Sequence, residues 1–378
     1  MPRTSSPSET ARMIAAAFGA SVFRRDQAAA VGVSLGRLRA AVDRGLVVRV
    51  ARGGYAVPPA ESDGLRADYL LRVAAALARR AGGVASHESA AAALGLPHPW
   101  AARWTSLSVV LTEPDGVTRL RHGVRTFRQP LDGIDLIQTP WGRATNLART
   151  AVDLGRTLAL PQAMVCADAA ARFLSPDQSR DGLLRTANRE CVRQQFAEAL
   201  GRVKWQHVPP KAKLLAALAD PAAESPAESV SRGWIIAAGL PLPGVGLAVL
   251  GASGVRYYGD LVWSDLGVIA EVDGLIKYDQ PGVLIQEKLR EDDLRRAGWT
   301  VVRWTGSEIR RRPMLVINRL RVALAQAASE RGAGAGVADL PALVVKNAIP
   351  GREATITGRS PTAEAMRRGG GRNLARRG

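Results

Sequence analysis

The spacing of apolar residues at the start of the chain predicts a series of short helices. Residues 10–18 have a helical pattern, and a second, short helix begins with Asp26 as its cap. Ser34 is then a favourable N-cap for a third helix. This helix is apolar along one face at positions i, i+3 and i+7, namely Leu35, Leu38 and Val42. Gly45 follows where helices commonly end.

Two short apolar strands complete this N-terminal unit. The runs LVVRV and GYAV flank Ala51-Arg52-Gly53, which predicts a β-hairpin. Two short helices, a tight turn and a hairpin form the winged helix-turn-helix arrangement, whose second helix enters the DNA major groove. The arrangement makes five arginines candidates for DNA contact: Arg37, Arg39, Arg44, Arg49 and Arg52. Winged helices also bind proteins, so that alternative stays open.

The middle of the chain, residues 62–220, alternates between helical and strand patterns. Loose stretches at Pro58-Pro59 and at 220–226 separate it from an N-terminal unit, 8–58, and a C-terminal unit, 226–328. The predicted elements of the middle unit are a helix from Ser86, strands 105–112 and 123–128, and helices 145–156, 161–173 and 179–200. The four histidines (His87, His98, His122, His207) lack metal-ligand spacing, and the pattern shows no catalytic constellation.

The C-terminal unit has a different order of elements. A predicted helix, 226–238, precedes strands at 245–250, 255–263 and 267–273, a helix at 281–297, the strand Trp299–Trp304 and a last helix ending near Ala327. The order αβββαβ, with a parallel return strand, predicts an α/β sandwich around a small mixed sheet. We therefore expect an α/β multidomain protein with an α+β middle region.

Three carboxylates stand on this predicted sheet. Glu271 and Asp273 are two apart on one strand, so their side chains point to the same face. If Asp265-Leu266 is a two-residue turn, Asp260 lies directly opposite Glu271. Like charges placed opposite each other destabilise a sheet. A divalent cation would relieve the repulsion, and Mg²⁺ prefers such oxygen ligands.

Two alternatives to a metal site stay open. Ion pairs with Arg303 or Lys288 would also satisfy the carboxylates at the edge of the sheet. A one-residue bulge in either strand would change the register and separate Asp260 from Glu271.

The charge of the chain adds a candidate partner. Lys and Arg number 52 against 34 Asp and Glu, a net charge of +18, which favours double-stranded DNA as partner. The excess is densest in residues 1–60 and 331–378, and the Gly- and Ala-rich stretch 332–378 is expected to be a disordered basic tail. Because arginine far outnumbers lysine, a GC-rich coding bias is an alternative explanation.

Composition also limits the location of the protein. No apolar run approaches the ~20 residues that span a bilayer, and the first residues have no apolar signal core. Two cysteines without a CxxC pair exclude a disulfide framework and a thiolate zinc site. We expect a cytoplasmic protein without a membrane partner.

The first half of the chain resembles AbiEi-type antitoxins of type IV toxin–antitoxin systems. The resemblance is carried by SVFRRDQAAAVGVSLGRLRAAVDRGLVVRVARGGYAV, by SHESAAAALGL (86–96) and by TPWGRATNLARTAVDLGR (139–156). It implies a winged helix that binds the promoter of its own operon and represses it, an AbiEi-like α+β middle region, and a cognate toxin as a further partner.

The C-terminal unit resembles the very-short-patch-repair-like branch of the PD-(D/E)XK nucleases. The matching features are Asp260, Glu271-Val272-Asp273-Gly274, the EKLRE helix and the GWTVVRW strand. The resemblance implies a restriction-endonuclease-like fold in which Asp260, Glu271 and Glu228 hold Mg²⁺, with Mn²⁺ as a substitute, for hydrolysis of DNA phosphodiesters. Asp260, Glu271, Asp273 and Lys277 are the implied catalytic residues.

This unit departs from the nuclease pattern at one position. Asp273 stands where the superfamily often has lysine, giving E-x-D in place of E-x-K, and Lys277 or Lys288 would have to supply the positive charge. The sequence therefore supports two main hypotheses. One is a metal-dependent DNA endonuclease, and the other is an antitoxin-like transcriptional repressor with an inactive nuclease-like domain. A scaffold without affinity for nucleic acid is a third.

Overall fold

Three helices and a small antiparallel sheet form the beginning of the chain. The computed structural model describes residues 6–331, except 20, 52, 59–63, 81, 99–106, 204–207 and 274–280. The elements are α1 (Pro7–Phe18), β1 (Phe23–Arg24), α2 (Arg25–Ala30), α3 (Leu35–Asp43), β2 (Val48–Ala51) and β3 (Gly54–Ala56). The predicted helices and hairpin are present, and β1 joins the hairpin by pairing with β3. Phe23, Ile14 and Leu38 are fully buried in the core between these elements.

The ends of α2 and α3 show which local signals were interpreted correctly. The Ser34 hydroxyl accepts the Arg37 N–H at the start of α3, as predicted, and Gly45 follows the helix with a φ of 70°. Asp26, however, is not the cap of α2. The helix begins at Arg25, one residue before Asp26. At this end the Gln27 side chain accepts the Arg24 N–H, and Asp26 forms an ion pair with Arg24.

A six-stranded mixed sheet follows the first unit. Its elements are α4 (Gly64–Ala78), β4 (Val84–Ala85), α5 (His87–Ala93), β5 (Val109–Thr112), β6 (Arg119–Arg121), β7 (Val124–Phe127), β8 (Leu136–Thr139) and β9 (Gly142–Thr145). The strand order is β6-β7-β5-β4-β9-β8. Tyr69 and Val73 of α4 pack with Leu111 and Ala144 of the sheet. The sequence predicted β5 and β7 but not the other four strands, β4, β6, β8 and β9.

A layer of helices comes next in the chain. It consists of α6 (Leu147–Thr157), α7 (Leu160–Leu174), α8 (Arg180–Leu184), α9 (Thr186–Arg202) and α10 (Pro210–Leu218). The single helix predicted over 179–200 was wrong, because Arg185 adopts an extended conformation that separates α8 from α9. Small residues such as Ala163 and Ala167 are fully buried and allow these helices to pack closely around Met164.

The C-terminal elements follow the predicted order. They are α11 (Pro226–Ala237), β10 (Gly244–Leu250), β11 (Arg256–Trp263), β12 (Val268–Asp273), α12 (Pro281–Arg296), β13 (Thr300–Thr305), α13 (Gly306–Arg311) and α14 (Pro313–Glu330). The four strands lie in the order β10-β11-β12-β13, and only β12 and β13 are parallel. Trp304 and Ile317 are buried in the core between this sheet and the helices. The mixed α/β class is confirmed.

Helix α11 packs directly on α7 of the helical layer. Gly233 lies against Pro161, so closely that a Cβ on this glycine would clash with the proline Cα. At the preceding position, the buried Arg232 guanidinium donates to Asp168 at 2.6 Å. The C-terminal sheet is therefore joined to the helical layer by a tight, charge-paired helix contact. Among the described residues, no helix is long and apolar enough to cross a membrane.

Candidate DNA interface and carboxylate cluster

The arginines of α3 fall into two groups. Arg37 is half-buried, and its guanidinium contacts Thr10 Oγ1 at 3.2 Å, the Gly32 carbonyl at 3.3 Å and Met13 Sδ at 3.3 Å. Its side chain is thus occupied in holding α3 against α1. Arg39 and Arg44 are exposed instead, and neither makes an ion pair with another described residue. The predicted DNA-binding arginines therefore differ in their packing: Arg37 holds α3 in place, whereas Arg39 and Arg44 are exposed.

The hairpin carries the remaining two candidates for DNA contact. Arg49 is exposed on β2, opposite Tyr55 of β3. Arg52 lies outside the described residues. Of the five predicted DNA-binding arginines, three thus have exposed side chains in the part of the chain that the structure describes.

The register of β11 and β12 agrees with the prediction, although the turn between them differs. Leu261 pairs with Ala270 and Trp263 with Val268, so continuing the ladder by one residue places Asp260 opposite Glu271. The strands are joined by a 3-10 turn, Ser264–Leu266, and by Gly267 in the left-handed region. This four-residue connection has the same midpoint as a two-residue turn, and the pairing of the strands is therefore unchanged.

Asp260 takes part in the ladder through its side chain. Its Oδ2 accepts the backbone N–H of Val272 at 2.8 Å, two residues beyond Ala270, the last position of β12 paired with β11. Burial, followed by the nearby Glu228 carboxylate, raises the pKa of Asp260 to about 7. Burial also raises the pKa of Glu228, which lies in the first turn of α11 and accepts the Glu224 N–H at 2.9 Å. The half-buried Asp260 and the buried Glu228 therefore repel each other here.

Glu271 is neutralised by an arginine that the sequence did not single out. Arg290 of α12 donates to both carboxylate oxygens, at 2.6 and 2.9 Å, and also to the Tyr258 carbonyl at 3.0 Å. The hydrogen bond to Glu271 is the main cause that raises the pKa of Arg290. Glu271 itself is 7% exposed. A bidentate pair of this kind satisfies a buried carboxylate without a metal.

Asp273 has a different partner. Arg303 of β13 lies 3.5 Å from its carboxylate, and the same guanidinium contacts Glu287 of α12. Arg303 was one of the two ion-pair partners considered from the sequence, whereas Lys288 is exposed and forms no ion pair with a described residue. Burial raises the pKa of Asp273, and Arg303 opposes that effect. Lys277, the remaining predicted catalytic residue, lies outside the described residues.

The carboxylates described here do not fit a Mg²⁺ site in this arrangement. Both oxygens of Glu271 are occupied by Arg290. Within the described ranges, no group of three or more His, Cys, Asp or Glu side chains is placed to hold a metal ion. The ligand set of Asp260, Glu271 and Glu228 therefore stays a prediction, and we derive no reaction step from it.

The middle region contains a buried ionic network that the sequence analysis missed. Arg149 of α6 is 1% exposed and bridges Asp135 at 2.8 Å and Asp153 at 3.2 Å. Arg202 of α9 also contacts Asp135 at 2.8 Å, which ties α9 to the six-stranded sheet. The i, i+4 spacing of Arg149 and Asp153 was a signal in the sequence. Because its members are buried and mutually paired, this network is structural.

Comparisons with known proteins agree with the AbiEi resemblance of the N-terminal unit. Residues 12–58 match the family model described as transcriptional regulator, AbiEi antitoxin, and this range runs from within α1 to the end of the hairpin. The uncharacterized proteins MT2308 and Rv2248, from two Mycobacterium tuberculosis strains, are each 29% identical over 209 residues, which is 55% of this chain and 72% of theirs. The N-terminal unit is thus similar to the regulatory domain of AbiEi antitoxins.

Proposed function

We propose that this protein is a DNA-binding transcriptional regulator of the AbiEi antitoxin type. The observation that carries the proposal is the coincidence of the family match with one structural unit. Residues 12–58 cover most of α1, all of α2 and α3 and the hairpin, including the exposed Arg39 and Arg44. The comparisons thus support the regulator hypothesis better than the endonuclease hypothesis.

In this proposal the N-terminal unit binds DNA as a winged helix. Helix α3 enters the major groove, and the β2–β3 hairpin is the wing beside it. Arg39 and Arg44 contact DNA, with Arg49 at the wing. Arg37 instead positions α3 through its contacts with α1 and the preceding turn. The target is the promoter of the protein's own operon, where binding would repress a cognate toxin gene.

We further propose that the C-terminal unit is a nuclease-like scaffold that does not cleave DNA. Its αβββαβ order matches the PD-(D/E)XK resemblance, but Arg290 occupies the Glu271 carboxylate and Asp273 replaces the usual lysine. Purified full-length protein should therefore leave supercoiled plasmid intact with Mg²⁺ or Mn²⁺. Metal-dependent nicking that is lost in Glu271→Ala would contradict this and restore the endonuclease hypothesis.

The central experiment measures DNA binding by fluorescence anisotropy. The probes are a duplex from the region upstream of the gene and an unrelated duplex of equal length. We expect tighter binding to the upstream duplex, and roughly tenfold weaker binding by Arg39→Gln/Arg44→Gln, because each lost phosphate or base contact lowers affinity severalfold.

The matched control for this experiment is Arg185→Gln/Arg193→Gln. These two arginines are exposed, pair with Asp177 and Glu190 and lie outside the N-terminal unit, so the variant loses the same net charge elsewhere in the chain. Its affinity should stay close to that of the wild type. Equal losses in the two variants would mean that only the overall charge of the protein matters, and the winged-helix proposal would fail.

A further inference from the structure

The β6–β7 hairpin of the six-stranded sheet carries an uncompensated cluster of arginines. We call residues 119–128, RLRHGVRTFR, the arginine hairpin. All four of its arginine side chains are exposed: Arg119, Arg121, Arg125 and Arg128. The segment from 117 to 131 contains no Asp or Glu, and none of the four forms an ion pair with a described residue.

This charge is held on a well-defined scaffold. Arg119 pairs with Thr126, Leu120 with Arg125 and Arg121 with Val124, which leaves a two-residue turn at His122-Gly123. Both turn residues have positive φ, 50° and 72°, as the tightest hairpin turns require. Strand β7 is anchored to the central strand β5 over four residue pairs. The arginines are therefore presented by a fixed ribbon.

The arginines surround the ribbon on both faces. Arg119 and Arg121 point to one face of the hairpin. Leu120 and its cross-strand partner Arg125 point to the other face. Strand β6 is also the edge of the sheet, so no further described strand covers it. Guanidinium groups match phosphates in a bidentate manner, and a surface with several of them and no carboxylate is complementary to a polyanion.

Several other arginines of the middle region, in contrast, are paired with carboxylates. Arg149, Arg156 and Arg202 each form ion pairs with carboxylates. Arg189 likewise lies 3.3 Å from Asp220. A general excess of arginine from coding bias does not account for a hairpin whose four arginines all remain without a carboxylate.

We infer that the arginine hairpin is a second DNA-contacting surface, which binds the phosphate backbone of the duplex outside the site of the N-terminal unit. This inference rests on the proposed function, because the polyanion is identified as duplex DNA on that basis. Phosphate contacts carry no base preference, so the hairpin adds affinity and salt dependence but no sequence specificity.

The test compares wild type with Arg119→Gln/Arg125→Gln in the anisotropy assay, at salt concentrations from about 50 to 200 mM. Two lost phosphate contacts should make the slope of log K against log salt shallower by about 2 and weaken binding roughly tenfold. The loss should be equal for the upstream and the unrelated duplex. Arg119→Lys/Arg125→Lys should restore most of the affinity, because lysine keeps the charge. Arg185→Gln/Arg193→Gln is again the charge-matched control.

Several outcomes would overturn the inference. One is a hairpin variant that binds DNA like the control, while Arg39→Gln/Arg44→Gln is weakened; the proposed function would then stand without the second surface. Another is aggregation of the hairpin variant with unchanged DNA affinity, which would show that the arginines only protect the sheet edge. Polyglutamate can serve as a second polyanionic probe. If the hairpin variant binds polyglutamate more weakly than wild type does but binds DNA equally well, the partner is an acidic protein. Wild type that binds neither duplex would refute the proposed function as well.

Discussion

Arginine has opposite environments in two parts of this molecule. Arg39 of α3 and the four arginines of the arginine hairpin face solvent, and none of them forms an ion pair with a described residue. On the C-terminal sheet, Arg290 and Arg303 are half-buried among Glu271, Asp273 and Glu287. The first arrangement leaves positive charge available to a polyanion, whereas in the second the charge is neutralised by carboxylates within the fold. The net charge of +18 therefore says little until each arginine is placed.

The largest expected effect breaks the C-terminal arrangement. Arg290→Met removes both hydrogen bonds to Glu271 and leaves this carboxylate buried without its main partner. Such a loss costs about 3–5 kcal/mol in the free energy of unfolding. Urea unfolding followed by circular dichroism would measure it. Arg295→Met, which removes an exposed partner of Glu291 on the same helix, should cost less than about 1 kcal/mol. Similar losses in both variants would show that the Arg290–Glu271 pair has no special importance.

A second, smaller effect concerns the carboxylates that the arginines leave unpaired. Burial and Glu228 raise the pKa of Asp260 from 3.8 to about 7. Because the folded protein then binds this proton more tightly than the unfolded chain, the contribution of Asp260 to the free energy of unfolding falls as pH rises from about 4 to about 7. The shift corresponds to about 2–4 kcal/mol, allowing for partial solvent access.

Asp260→Asn removes this titration and retains an oxygen that can accept the Val272 N–H. The variant should therefore be more stable than wild type at pH 8, and the difference should shrink toward pH 4. Asp265→Asn, on the exposed turn after the same strand, is the control and should not change the pH dependence. If the stabilities of wild type and Asp260→Asn changed in parallel over this pH range, the raised pKa of Asp260 would be ruled out.

The difference between the two regions could be predicted only in part from the sequence. The register of Asp260 and Glu271 could be predicted because every symmetric turn around positions 265 and 266 gives the same pairing. The identity of the partner of Glu271 could not, because it depends on how α12 is rotated over the sheet. The sequence pattern does not determine that rotation, since residues 286–296 of α12 contain only two apolar residues, Leu289 and Leu294.

The same limit applies to the N-terminal unit. Leu38 and Val42 of the predicted stripe do face the core, whereas Leu35 is only half-buried, and Arg37 was expected to point away from the core. Arginine has a long side chain, however, and from the border of the stripe it reaches Thr10 on the neighbouring helix. Periodicity thus predicts the buried face of a helix better than it predicts the destination of a long side chain at its border.

The smallest effect separates two neighbouring arginines of α3 by two different measurements. Arg37→Met deprives the fully buried Thr10 of a partner and should lower the free energy of unfolding by about 1–2 kcal/mol. Well below its melting temperature, the variant should keep the salt slope of DNA binding, because this guanidinium is turned inward. Arg39→Met should do the reverse: stability within about 0.5 kcal/mol of wild type, and a salt slope shallower by about 1. Each variant controls for the other, since both lose one charge from the same helix. If Arg37→Met made the salt slope shallower as much as Arg39→Met, the distinction between an arginine that builds the helix pair and one that contacts DNA would be lost.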